Sequence, residues 1–132
     1  ERHVENAAKV ADYLANHEKV EWIDFASLSD SPYKQLQEKY LPKGAGSIFT
    51  FGVKGGYEAG KKFIESLELF SMLANVGDAK SLVVHPASTT HAQLTEEQQL
   101  AGGVKPETVR LSIGLEHIDD ILDDINKGLD AI

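Results

Sequence analysis

A fixed positive charge in the middle of an apolar strand constrains this chain more than any other feature. Val109-Arg110-Leu111-Ser112-Ile113 alternates apolar and polar residues with a period of two, so it reads as a β-strand with Arg110 set among core-forming neighbours. A guanidinium stays ionised at any physiological pH and is costly to bury without an anion in bidentate contact. The strand must therefore sit where a carboxylate can meet it. That carboxylate belongs either to an Asp or Glu of the same chain or to a ligand. Both remain open on the residues alone: charges inside proteins are usually paired within the fold, and a planar fork of donors is also what holds a substrate carboxylate.

Periodicity supplies the surroundings of that strand. Val4, Ala7, Ala8, Ala11 and Leu14 recur at helical spacing and predict a helix over about residues 2–17. Residues 20–25 alternate as a mostly buried strand, and Ser29-Asp30-Ser31-Pro32 supplies caps and a helix-starting proline for Tyr33 to Tyr40. Ser47 to Val53 is rich in β-branched and aromatic residues and reads as a central strand. Gly55-Gly56 ends it, and a helix follows over 57–67. Ser81 to Val84 predicts a short strand, and Thr95 with Gln98 has capping-box spacing for a helix at 95–100. Ile118, Ile121, Leu122, Ile125 and Leu129 form the apolar stripe of a closing helix. Short strands without a glycine-rich βα fingerprint favour an α+β two-layer sandwich, its sheet mostly antiparallel and its helices on one face.

A length of 132 residues suits a single domain. The net charge of −8 argues against a nucleic-acid surface and against anionic membranes. With no cysteine, thiolate catalysis, disulfides and zinc-finger chemistry are excluded; a reducing, cytoplasmic setting suits such a chain. No apolar run approaches the roughly 20 residues that span a bilayer. The only methionine is Met72, and the first residues already lie in a helical pattern, so the chain reads as a piece of a longer protein.

Other candidate chemistry is weaker. Asn75-Val76-Gly77-Asp78 is turn-like, and its backbone N–H groups or the Asn75 amide are available to a ligand or simply to the turn. His85 and His91 bracket three hydroxyls, but no third metal ligand stands at useful spacing, so no metal site is expected. Asp119, Asp120, Asp123 and Asp124 read as the solvated side of the closing helix. Ser88, His91 and Asp78 compose a hydrolytic triad on paper, without any nucleophile-elbow context. The pieces GAGS and GVKGG lack the lysine–hydroxyl ending of a phosphate loop. A carboxylate clamp is present in outline; a reactive centre is not.

Three blocks, YLPKGAGSIFTFGVKGG, LFSMLANVGDAKSLVVHPASTTHAQLTEEQ and VRLSIGLEHIDDIL, stand in an order and at separations that resemble the pyridoxal-phosphate enzymes of cysteine and methionine metabolism. LANVGD and HPASTTH resemble the O-acetylhomoserine sulfhydrylase branch rather than the cystathionine synthases and lyases. The resemblance implies that residues 1–132 are the single C-terminal domain of a longer fold-type I enzyme whose large cofactor-binding domain is absent here. It implies that Arg110 grips the substrate α-carboxylate, that Asn75 assists from the facing loop and that Thr90 lines the pocket. Ala74 stands where the cystathionine branch has a glutamate, and Met72 departs from a histidine frequent in the sulfhydrylases.

The activity so implied is replacement at the γ-carbon of O-acetyl-L-homoserine by sulfide or a thiol, giving homocysteine or methionine and acetate. The assembly implied is a homotetramer. The cofactor lysine, phosphate donors and stacking aromatic belong to the missing domain, so no catalytic, cofactor-binding or metal residue is expected in this chain, and the isolated piece is expected to be inactive. A cystathionine γ-synthase or methionine γ-lyase of the same family is the alternative enzyme. A stand-alone regulatory α+β module that binds amino acids is the alternative of another class.

Overall fold

A computed structural model describes all residues, Glu1 to Ile132. The chain runs α1 (Arg2–Ala15), β1 (Val20–Asp24), α2 (Lys34–Tyr40), β2 (Ile48–Val53), α3 (Gly56–Glu65), β3 (Ser71–Met72), β4 (Leu82–Val84), a 3-10 turn (Pro86–Ser88), α4 (Glu96–Ala101), β5 (Thr108–Ser112) and α5 (Ile118–Asp130). The sheet order is β1-β2-β5-β4-β3. Three pairings are antiparallel and the β4–β3 pairing is parallel. The expected mostly antiparallel sheet is thus a mixed one. Its extra strand, Ser71–Met72, is two residues long and too short to show a period in the sequence.

The predicted stripes define the core. Ala7, Val10, Ala11 and Leu14 of α1 and Ile121, Ile125 and Leu129 of α5 meet Phe49, Phe51, Val53, Val83, Val109 and Leu111 from one face of the sheet. Phe63 of α3 stands edge-on to Phe51, with ring centroids 5.5 Å apart. The period of two then sends Thr50, Gly52, Thr108, Arg110, Ser112, Leu82 and Val84 to the opposite face. α4 begins with the expected capping box, Thr95 Oγ1 accepting from the Gln98 amide and Gln98 Oε1 from the Thr95 amide.

Two readings of the sequence are corrected. β1 is not mostly buried: it is an edge strand, with Glu21 and Asp24 exposed and its other residues half-buried. Trp22 covers Gly52 on the next strand, its indole N–H donates to Glu107 at 2.8 Å, and Lys105 lies over the ring. The second correction concerns the four aspartates of α5. Asp124 is only 2% exposed and accepts three backbone N–H groups, from Glu68 and Leu69 at 2.9 Å and Phe70 at 3.2 Å. It ties α5 to the segment that enters β3. Position 124 lies one turn beyond Ile121 on the inward stripe, so a helical wheel carries the signal that the acidic run hides.

Candidate functional site

Arg110 occupies the middle of β5, paired with Thr50 on one side and Val84 on the other. Its side chain leaves the sheet on the face opposite α1, α3 and α5 and is half-buried, whereas Val109 and Leu111 are fully buried on the other face. The guanidinium is therefore not enclosed in the core, as its apolar neighbours suggested. The ion pairs of the fold are Lys9–Glu5, Lys34–Glu38, Lys61–Glu65, His117–Asp119 and Lys127–Glu68; none includes Arg110. Its hydrogen bond runs from Nη2 to the main-chain carbonyl of Asn75, at 2.7 Å. A neutral acceptor fixes one nitrogen of the fork and leaves the charge uncompensated. That combination orients a guanidinium and keeps it available to an anion.

The loop that supplies this carbonyl is itself pinned. β3 and β4 run parallel, so the chain leaves both at the same end of the sheet. Asn75 lies three residues beyond β3 and the His85–His91 segment directly follows β4. This parallel pair brings the two sequence-predicted loops to one edge. Gly77 turns the first loop with φ of +84°, a conformation that glycine adopts without a Cβ clash. Asp78 accepts from the Lys80 amide with its side chain and bonds the His3 ring with its carbonyl. Leu115 N–H donates to the Ala79 carbonyl at 2.8 Å. The Asn75 side-chain oxygen accepts from the Val76 amide at 2.8 Å, and it is the Asn75 main-chain carbonyl that accepts from Arg110.

Thr90 is exposed, and its hydroxyl bonds Nδ1 of His91 at 2.8 Å. Two buried polar residues hold its loop. The His85 ring bonds the Pro106 carbonyl and the Ser88 hydroxyl, and burial pushes its imidazole below the ordinary histidine range, against the raising effect of the Pro106 carbonyl. Gln99 of α4 donates to the carbonyls of Ala87 and His91, at 3.2 and 2.9 Å. Nothing in the sequence beyond the capping box that fixes α4 pointed to Gln99. A third anchor was also missed: the Glu116 carboxylate accepts from the amide and hydroxyl of Ser81, joining the end of β5 to the start of β4.

These contacts dissolve the triad drawn on paper. Ser88 bonds His85, His91 bonds Thr90, and the Asp78 carboxylate bonds a backbone amide. No group of three His, Asp or Glu residues is placed to hold a metal, and no helix is long and apolar enough to cross a membrane. Thr50, Val84 and Asn75, the residues set against Arg110, bear no amine and no aromatic ring. By themselves they do not build a cradle for a pyridoxal group. What Arg110 offers chemically is a planar, charged set of donors joined to no carboxylate of its own chain.

Residues 1–130 match the model of the family described as Cys/Met metabolism PLP-dependent enzyme. The chain is 54% identical to O-acetyl-L-homoserine sulfhydrylases of Leptospira meyeri and of Corynebacterium glutamicum, over its whole length and 30% of each relative. Among solved structures, one from Campylobacter jejuni assigned as an O-acetylhomoserine (thiol)-lyase, containing N′-pyridoxyl-lysine-5′-monophosphate, superposes with a TM-score of 0.90 at 38% identity. That likeness covers 98% of this chain and 31% of that one. A cystathionine gamma synthase from Xanthomonas oryzae pv. oryzae, in complex with aminoacrylate and cysteine, gives 0.88 at 36% identity, covering 98% of this chain and 33% of that one. The chain thus spans about a third of the length of the relatives it matches.

Proposed function

Because this chain belongs to the Cys/Met metabolism PLP-dependent enzyme family, we propose that it is the substrate-positioning C-terminal domain of an O-acetylhomoserine sulfhydrylase. The reaction is replacement of the acetyl ester at the γ-carbon of O-acetyl-L-homoserine by sulfide or a thiol, with homocysteine or methionine and acetate as products. The observation that carries this reading is the Arg110 guanidinium, held by the neutral Asn75 carbonyl and joined to no carboxylate of its own chain. The identity to proteins named O-acetyl-L-homoserine sulfhydrylase supports this branch over the cystathionine γ-synthases and methionine γ-lyases.

Arg110 fixes the substrate α-carboxylate through two parallel N–H···O bonds and so sets the orientation of the Cα–H bond. Asn75 holds the guanidinium in place, and Thr90 faces the substrate from the neighbouring loop. The pyridoxal phosphate, bound by the remainder of the enzyme, supplies the electron sink for charge developing at Cα. Met72, Leu73 and Val76, exposed beside Asn75, form the apolar surface that this remainder covers. A cytoplasmic homotetramer, inactive without its cofactor domain, completes the reading.

The test joins this chain to its upstream domain and measures O-acetylhomoserine turnover with sulfide. Arg110→Ala removes two charge-assisted bonds of about 1.5–3 kcal/mol each, so kcat/KM should fall by roughly 10²–10⁴-fold. A variant with wild-type kcat/KM overturns the clamp. Calorimetry separates the other class: a free-standing regulatory module binds O-acetylhomoserine or methionine as the 132-residue chain alone, whereas half a pocket does not.

A further inference from the structure

We propose that His85, as the neutral ring with its proton on Nε2, is the positioning residue for the Pro86–His91 loop, and through it for Thr90. The second clause rests on the reading of Thr90 as a pocket residue; the first stands on burial and hydrogen-bond geometry. His85 directly follows β4 and is fully buried. Its Nε2 lies 2.6 Å from the Pro106 carbonyl, which only accepts, so Nε2 carries the proton. Full burial favours the neutral ring, which has one N–H, so Nδ1 is the acceptor, and the Ser88 hydroxyl donates to it at 2.8 Å in preference to the His85 carbonyl at 3.3 Å.

The main chain of the same residue continues the work. The His85 carbonyl accepts from the Ser88 amide at 3.1 Å and from the Thr89 hydroxyl at 2.8 Å. The loop then closes through the Thr89 and His91 amides, both donating to Pro86. One residue therefore grips the first turn of the loop from both its ring and its backbone.

Two further elements are shaped around the ring. Tyr57 of α3 stands edge-on to it, with centroids 5.1 Å apart. Gly60, one turn along α3, has no side chain to spare: a Cβ there would lie 2.8 Å from both Cδ2 and Nε2 of His85. A ring that merely filled space would need none of these polar partners, and its hydrogen bonds would be replaceable by packing. The pattern instead makes the imidazole a joint between β4, α3, the 105–107 segment and the substrate-side loop, with Gln99 holding the loop from α4.

The test is amide hydrogen exchange, read residue by residue on the 132-residue chain. His85→Phe keeps an aromatic ring, a somewhat larger one, and loses the bonds, whereas the His85→Gln amide retains a donor for the Pro106 carbonyl. In His85→Phe the amides of Ser88, Thr89 and His91 should exchange about tenfold faster or more, while Leu111 in β5 stays within about twofold. His85→Gln should recover most of the protection. Wild-type rates in the Phe variant, an equal rise in β5, or no recovery with Gln each overturn the proposal. Should the Phe variant fail to fold, the wild-type imidazole ¹⁵N spectrum at neutral pH still decides. A protonated Nε2 with a bare Nδ1 supports it, and the other tautomer or a charged ring overturns it. A failure here leaves the Arg110 clamp standing, and loss of the clamp leaves these exchange rates unchanged.

Discussion

Replacing Asp124 by Asn should destabilise this domain more than any other single-atom change on α5. The carboxylate is 2% exposed, with Oδ1 accepting from Glu68 N–H and Oδ2 from both Leu69 and Phe70 N–H. Asn keeps one oxygen and offers an amide nitrogen to an N–H group. In its better orientation the oxygen stays on the Leu69–Phe70 pair, while the Glu68 amide loses its acceptor and faces another donor. A hydrogen bond to a charged group contributes about 1.5–3 kcal/mol, and an orphaned buried donor costs about 1–3 kcal/mol. The two effects overlap, so the expected loss is about 2–4 kcal/mol. For a domain of this size that lowers the melting temperature by roughly 8–15 °C. Circular dichroism melts at neutral pH measure it, with Asp123→Asn as the control. Asp123 is exposed on the same turn, so its substitution should stay within about 0.5 kcal/mol of wild type. If Asp124→Asn melts within about 2 °C of wild type, the three amides do not depend on that charge and the anchoring argument fails.

Gly128→Ala gains about 1 kcal/mol of helix propensity, but its Cβ would lie 2.7 Å from the Phe63 ring. Overpacking costs about 1–3 kcal/mol, so the net expected in urea unfolding is a lower midpoint with an unchanged slope. The pH dependence follows from His85. Its folded imidazole titrates below the ordinary value of 6.5, chiefly through burial, with Glu58 opposing and Lys61 reinforcing the shift. The unfolded chain binds that proton first, so the contribution is intact above about pH 6.5 and is lost as pH falls through the lower folded value. Stability of the wild type compared with His85→Gln across pH 7.5 to 5 should show the extra loss in the wild type alone. Parallel curves would remove His85 from the explanation.

Much of this domain was legible as pattern. The stripes of α1 and α5, the capping box of α4 and the alternation of β2 and β5 each repeat over enough residues to reveal their period, and the structure follows them within a few residues. The blocks shared with the family, which named Arg110, Asn75 and Thr90, are likewise a property of the letters. Composition excluded thiolate chemistry for the simple reason that there is no cysteine.

Only the tertiary structure decided what those residues touch. Whether Arg110 meets an internal carboxylate depends on which carboxylates the fold carries near it, and no local period encodes that. The answer came from a two-residue parallel strand that brings Asn75 back to the sheet. Asp124 read as part of a solvated face because it stands among other aspartates, and Glu116 and Gln99 carried no pattern of their own. Their partners are distant backbone groups that become unpaired donors and acceptors only once the chain is packed. Local propensity sets where elements begin and end, but long-range pairing fixes which polar group is left buried beside which other.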